Sequence, residues 1–372
     1  MKKLSLVSIG LMACLAIGIS TARGQEYSLM DLGVVKDMVA SEAGALNNLG
    51  HIAGTAYKGQ ETCAFHFDYA KKYMADAGGV NSRGFGISST NVVVGDSFFA
   101  SPMASGSHAA TFQAGVAKDL GLLRGQVYSR ANGINGIGQV VGFSGPKRDS
   151  SESRAFLWTY QTGMRDIGTL GGAYAQANAI NNAGFITGTA QTWATLVTTH
   201  AFIYQALSPV TGGMRDLGVL DGRSSYGMAI NDNNHVAGYS TINTIDTRVH
   251  AFLHDGNRMI DLGSLGGSEP KTDVSVALGV NDSDQVVGYT YLPAVGAMPP
   301  QQVAFLWSRD STVTGGKMVN LNKLLNGTGR NYLLISATAI NHNGQIVATA
   351  HDIRNDNLRA VLLTPVAPAL RR

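Results

Sequence analysis

Short apolar runs of about four to six residues alternate along this chain with clusters of Gly, Asn and Asp, and the alternation itself repeats. One phrase recurs: a small residue, an aliphatic, Asn, a polar turn, two or three apolar residues, then Gly. Its key position falls at Asn47, Ser88, Asn135, Asn181, Asn231, Asn281 and Asn341, with spacings of 41 to 60 residues. A second, aromatic phrase follows each copy, clearest at His200-Ala201-Phe202 and His250-Ala251-Phe252 and weaker at Cys63–Phe67, His108–Phe112, Arg154–Trp158, Val303–Trp307 and Arg359–Leu363. A third phrase, apolar-x-Asp-Leu-Gly, stands around Asp76, Asp119, Asp166, Asp216, Asp261 and Asn320. The last repeat lacks it, and an unpaired copy, Leu29-Met30-Asp31-Leu32-Gly33, lies near the start of the chain.

Each repeat therefore offers four short apolar runs parted by turn residues, the pattern of a four-stranded antiparallel meander. Four strands per 40 to 50 residues is the period of a propeller blade. The displaced copy completes the count, because a ring closes if the strand around Leu29 becomes the outer strand of the last blade. The expected fold is an all-β, seven-bladed propeller closed in this way, and a β-solenoid, which would need caps and not a complementary strand, is the alternative. Small residues at alternate positions of the first strand (Ala131 and Gly133; Ala177 and Ala179; Ala277 and Gly279) suit the crowded axis of a ring. The aliphatic before each Asn should then pack between blades.

Composition agrees with many tight turns: 46 Gly in 372 residues, with only 14% charged. Lys2 and Lys3, a charge-free run from Leu4 to Ile19 and the small residues around Ala22 and Gly24 read as a secretory signal peptide over 1–24. Cys14 sits in a loose likeness of a lipoprotein box. The expected division is a signal peptide (1–24), the repeat domain (25–366) and a short tail (367–372). Lys2, Lys3 and Arg23 leave with the signal, so 25 basic face 25 acidic residues and the formal charge is about zero. A basic face for nucleic acid is missing, and no later apolar run is long enough for a membrane span. Cys63 is then the only cysteine, which excludes an intrachain disulfide.

The segments Ala-Ile-Asn through Gly-Gln-Val-Val-Gly, His-Ala-Phe and Met-Arg-Asp-Leu-Gly resemble those of the bacterial HAF-repeat extracellular proteins, over roughly residues 26 to 365. The resemblance implies an exported repeat protein. It implies no activity, ligand or catalytic residue.

Candidate chemistry is sparse. The repeated Asn is expected to satisfy backbone groups of its own turn. The acidic turns Asn231-Asp232-Asn233-Asn234 and Asn281-Asp282-Ser283-Asp284 have Ca²⁺-like oxygen spacing without a distal carboxylate, so ordinary turns are expected there. His108, His200 and His250 occupy equivalent positions in different blades, away from the axis, and cannot meet round one ion. The Asp-Leu-Gly carboxylates are too dispersed for paired-carboxylate catalysis and should hydrogen-bond at strand ends. No catalytic residue, metal site or cofactor is assigned.

The segments between second and third strands vary most: Thr55–Thr62, Phe98–Ser107, Ser144–Ser153, Thr189–Thr199, Tyr239–Val249, Tyr289–Gln302 and Thr349–Leu358. All should emerge on one face as a rim carrying Tyr57, Phe98, Trp193, Tyr239, Tyr289 and Tyr291, which are the candidate ligand-binding residues. The expected protein is a secreted, non-enzymatic scaffold binding extracellular carbohydrate or protein. A propeller lyase or hydrolase acting on an extracellular polymer, or a purely structural extracellular protein, are the alternatives. An enzyme would gather acids, bases or metal ligands at an axial mouth, where a scaffold would show small and amide side chains.

Overall fold

The structure, a computed structural model, describes residues 25–100, 106–148, 151–193, 198–206, 213–245, 248–296, 299–310 and 315–366. The expected signal peptide and tail lie outside them. Seven four-stranded antiparallel sheets form the blades: 40–76, 80–119, 128–166, 171–216, 225–261, 275–320, and 332–366 completed by the N-terminal strand. The expected seven-bladed propeller is the observed fold.

Closure runs through Glu26–Asp31, which pairs antiparallel with Asn357–Val366 from Glu26↔Val366 to Asp31↔Val361. Tyr27 is fully buried and Leu29 nearly so, in one cluster with Leu334, Ile346 and Leu363. The outer edge of this strand is covered too. Asn326 donates its N–H to the Tyr27 carbonyl at 2.9 Å, and Thr328 Oγ1 accepts from the Leu29 N–H at 2.8 Å. The longest repeat spacing thus has a use: its extra residues, with two short 3₁₀ turns at Leu321–Leu324 and Gly327–Gly329, shield the one edge whose strand comes from the far end of the chain.

Packing is between blades as much as within them. Ala53 and Ala64 of the first blade share a cluster with Ile87, Val93 and Phe112 of the second. Ile180 and Ile340 likewise pack with residues of the preceding blade, as expected for the aliphatic before the Asn. In the aromatic phrase the Ala is fully buried in every blade (Ala64, Ala109, Ala155, Ala201, Ala251, Ala304, Ala360), and the following Phe is fully buried in five (Phe65, Phe156, Phe202, Phe252, Phe305).

The Gly that ends the first phrase answers a close approach. Each first strand slips register, as between Gly227 and Ala229, and presses a carbonyl onto the neighbouring strand. A Cβ on Gly238 would stand 1.9 Å from the Tyr226 oxygen, and one on Gly142 1.9 Å from that of Arg130. No side chain fits there. The seventh blade carries Ala348 at this place and has a second register shift between Leu334 and Ser336.

One expectation needs correction. The second and third strands run further than the sequence suggests, ending and restarting at Lys58/Glu61, Phe99/Gly106, Gly145/Arg154, Thr192/Thr199, Thr241/Val249, Leu292/Gln301 and Asp352/Asn357. The supposed first-blade loop is a tight hairpin. Polar and small residues such as Thr, Ser and Gly had masked the continuing ladder, which backbone hydrogen bonds sustain regardless of side chain.

Candidate functional site: the two mouths of the axial channel

Antiparallel order sends the first-to-second strand turns to one face, and the second-to-third connections to the other. The first face carries the repeated Asn. Asn47 Oδ1 accepts from the N–H groups of Leu49 and His51, both at 3.0 Å, and Asn231 does the same for Asn233 and His235. That is the expected turn role. The other end of the amide does something the sequence did not show, reaching the next blade. Nδ2 of Asn47 donates to Ser88 O (3.0 Å), Asn135 to Asn181 O (3.1 Å), Asn181 to Asn231 O (2.9 Å), Asn231 to Asn281 O (3.0 Å), Asn281 to Asn341 O (3.1 Å) and Asn341 to Asn47 O (3.1 Å). The circle lacks one link. Ser88 caps its own turn through Val92 N, but a hydroxyl is too short to reach the Asn135 carbonyl.

Outside this ring lies a second one, formed by the next residue of each turn. Asn182 Oδ1 accepts from Gly136 N, Asp232 Oδ1 from Asn182 N, and Asp282 Oδ1 from Asp232 N, at 2.8 to 3.0 Å. Asp232, Asp282 and His342 converge so that one ligand atom from each lies within 4.8 Å of the others, with His342 Nε2 2.6 Å from Asp282 Oδ2. The two acidic turns singled out in the sequence therefore meet each other. Each keeps its ordinary turn geometry, and the convergence arises because they flank the axis in adjacent blades.

The dispersed side chains behave as expected. His108, His200 and His250 each pair through Nδ1 with the Asp of their own blade's Asp-Leu-Gly: Asp119 at 2.8 Å, Asp216 at 2.7 Å and Asp261 at 2.9 Å. Arg154 meets Asp166 likewise, and the Cys63 thiol meets Asp76 at 3.3 Å. Burial and the bond to Asp76 push the Cys63 thiol up to about 12. The two phrases are halves of one cross-strand pair, and where Asn320 replaces Asp the partner position holds Val303. A carboxylate oxygen also accepts from the Gly N–H two residues on: the second one in Asp31–Gly33 and Asp216–Gly218, and in Asp76–Gly78 the same Oδ1 that meets Cys63. His250 has a further partner, Asp273, at Nε2. Burial works against its charged form, yet the bonds to Asp261 and Asp273 hold its pKa above the usual value.

The opposite face carries the predicted rim, and only part of it assembles. Five of the six candidates are strand residues, and Trp193 alone sits in a connection, exposed and lying over Gly171. Tyr57 is turned inward, donating to Glu42 at 3.0 Å. Phe98 is exposed near the end of the second strand of its blade. Tyr291 donates to Gln302 and meets the Tyr289 ring edge-on, with centroids 6.3 Å apart. Tyr239 and Tyr289 stand at equivalent places on adjacent blades, within electrostatic reach of each other and of two tyrosines that the sequence reading missed. Tyr226, cross-strand from Tyr239, stacks on it at 4.6 Å and 14°. Tyr174 emerges from an irregular stretch of its strand between Gly171 and Ala175. Burial raises Tyr239, with Tyr226, Tyr289 and Tyr174 all near enough to add to it, and burial takes Tyr174 up to about 12. The signal for Tyr174 and Tyr226 was their place in first strands, seven and five residues before the ring Asn.

The wall continues as charge. The Arg130 guanidinium lies between the rings of Phe85 and Phe143, at 4.7 and 4.9 Å, with Nε on Asn132 Oδ1. Arg83 forms a two-pronged pair with the fully buried Asp96, which also accepts from the Tyr128 hydroxyl at 2.9 Å. Between the mouths, Leu46, Ile87, Ile134, Ile180, Ile230, Val280 and Ile340 border two cavities of about 180 and 250 Å³, the larger also lined by Phe85, Asn132, Met228 and Thr338.

Residues 219–358 match the model of a family of proteins of unknown function, DUF3466. No curated protein matches this chain in sequence. Among solved structures, the chain is similar to the β-propeller domain of the Trilobed protease from Pyrococcus furiosus, described as having an open velcro topology. That match has 9% identity and a TM-score of 0.51, over 88% of this chain and 94% of that one. TolB from Acinetobacter baumannii matches at 8% identity and a TM-score of 0.43, over 86% of this chain and 64% of that one. At these identities the first likeness speaks for the propeller fold alone. The described residues contain no helix long and apolar enough to cross a membrane.

Proposed function

We propose that this protein is an exported, HAF-repeat propeller that acts as a non-enzymatic binding scaffold outside the cell, engaging carbohydrate or protein on the face of the second-to-third strand connections. The observation that carries the reading is the stacked Tyr226–Tyr239 pair on that face, with Tyr174 and Tyr289 on the flanking blades. Residues 25–372 should bind on a glycan array above background, and Trp193→Ala or Tyr239→Ala should reduce the signal. Background binding only, or indifference to both substitutions, would count against this face.

The enzyme reading draws on the other mouth. Asp232, Asp282 and His342 converge as an active site would require, although an Oδ1 of each Asp already serves the neighbouring blade's backbone. Release of new reducing ends from an extracellular polysaccharide, lost in Asp282→Asn, would favour a hydrolase or lyase over a scaffold.

A further inference from the structure

The four tyrosines at the second mouth have a property the rest of the rim lacks. Their rings are half-buried, yet none of their hydroxyls has a hydrogen-bond partner among the described residues. The hydroxyls of Tyr57, Tyr128 and Tyr332, by contrast, bond to Glu42, Asp96 and Asp31. A buried or half-buried Tyr normally finds a partner, because its hydroxyl gains little by facing an apolar wall. Here four such hydroxyls stand on three successive blades.

We propose, building on the binding reading above, that Tyr174, Tyr226, Tyr239 and Tyr289 form a sugar-stacking platform, and that the ligand of this face is a pyranoside oligosaccharide. Three features select that class. The Tyr226–Tyr239 pair, at 14°, offers flat ring surface, which suits the C–H face of a pyranose. The hydroxyls at the ring edges can donate to and accept from sugar hydroxyls. The four rings are themselves half-buried, whereas a stable protein partner needs about 800 Å² of matching surface on each side. No acid or base belongs to the cluster itself, so recognition rests on stacking and neutral hydrogen bonds.

The test is isothermal calorimetry of residues 25–372 with three probes: hexasaccharides of β-1,4-glucose, β-1,3-glucose and β-1,4-N-acetylglucosamine. At least one should bind with a Kd below about 1 mM. Tyr226→Ala and Tyr239→Ala should each weaken it at least about tenfold, and Tyr239→Phe, which keeps the ring, by roughly threefold, all with unchanged melting temperature. Tyr160→Ala, at an exposed ring outside the proposed site, should leave the Kd within about twofold. Unchanged affinity in Tyr239→Ala with loss in Trp193→Ala would overturn the platform and leave the rim reading standing. Failure of all three hexasaccharides to bind would overturn the proposed ligand class, and with a blank glycan array would overturn the rim reading as well. Tyr239→Phe keeps the test decisive if the Ala variants fold poorly.

Discussion

The repeated Asn shows how one side chain can serve two levels of structure. Its oxygen holds the turn that it begins, and its Nδ2 ties that turn to the next blade. Ser88 keeps the first role and loses the second, leaving the Asn135 carbonyl without the amide donor that the other six positions enjoy. Ser88→Asn should complete the ring and stabilise the protein by about 1 kcal/mol, the net worth of one intramolecular hydrogen bond. Asn231→Ala should do the reverse and cost about 2–3 kcal/mol, since it strips two turn N–H groups of their partner and takes one of two donors from the Asn281 carbonyl. Denaturant titration of both variants checks the pair. A Ser88→Asn protein no more stable than wild type would mean that the second and third blades do not approach as the other pairs do.

At the level of the strand, the His-Ala-Phe and Asp-Leu-Gly phrases join the third strand to the outer one, and this junction is where the protein is sensitive to pH. His250 sits between Asp261 and Asp273 with its folded pKa above the unfolded value of about 6.5. Its contribution is complete below pH 6.5 and disappears as the pH rises through the folded value. Asp273 and Asp216 are shifted the other way. Burial opposes the shift in both, but the bonds to His250 and to His200 keep these carboxylates below the usual range. Their contribution is present above an unfolded value of about 4 and is lost as the pH falls through the folded one. Melting temperature should therefore decline on both sides of a mildly acidic window. In His250→Gln the decline between pH 6.5 and 8 should flatten while the acid limb persists through Asp216, and an unchanged alkaline limb would rule His250 out as its source.

For the whole molecule the decisive element is the strand Glu26–Asp31. It contributes Tyr27 and Leu29 to a core whose other members lie more than 250 residues away in the chain. Deleting residues 25–33 should leave the last blade with three strands and an open apolar edge at Asn357–Val366. The expected result is a fall in melting temperature of more than about 10 °C or loss of soluble protein, partly reversed by adding a peptide of residues 25–35. Calorimetry would show it, and a truncated protein that melts like the full chain would mean that closure contributes little. The same closure explains why ring positions behave unlike outer ones. Side chains at equivalent sites diverge toward the rim of a blade, so His108, His200 and His250 stay with their own Asp partners. Near the axis they converge, and Asp232, Asp282 and His342 meet.

Repetition is a one-dimensional property, and what depends on it could be read from the chain: blade number, strand number, the closing strand, the turn role of the Asn and the local duty of the Asp. Each is a relation between residues close in sequence, or a count. Contacts between blades are not of that kind. The second bond of each Asn, the meeting of two acidic turns with His342, and the stacking of Tyr226 on Tyr239 beside Tyr174 and Tyr289 depend on how far each blade turns about the axis and where each first strand slips register. Those angles come from the packing of all seven sheets at once. The rim shows the same division: the chain located the aromatic residues, but only the folded ring could say that Tyr57 turns inward, that Trp193 stands alone, and that Tyr239 and Tyr289 share a mouth.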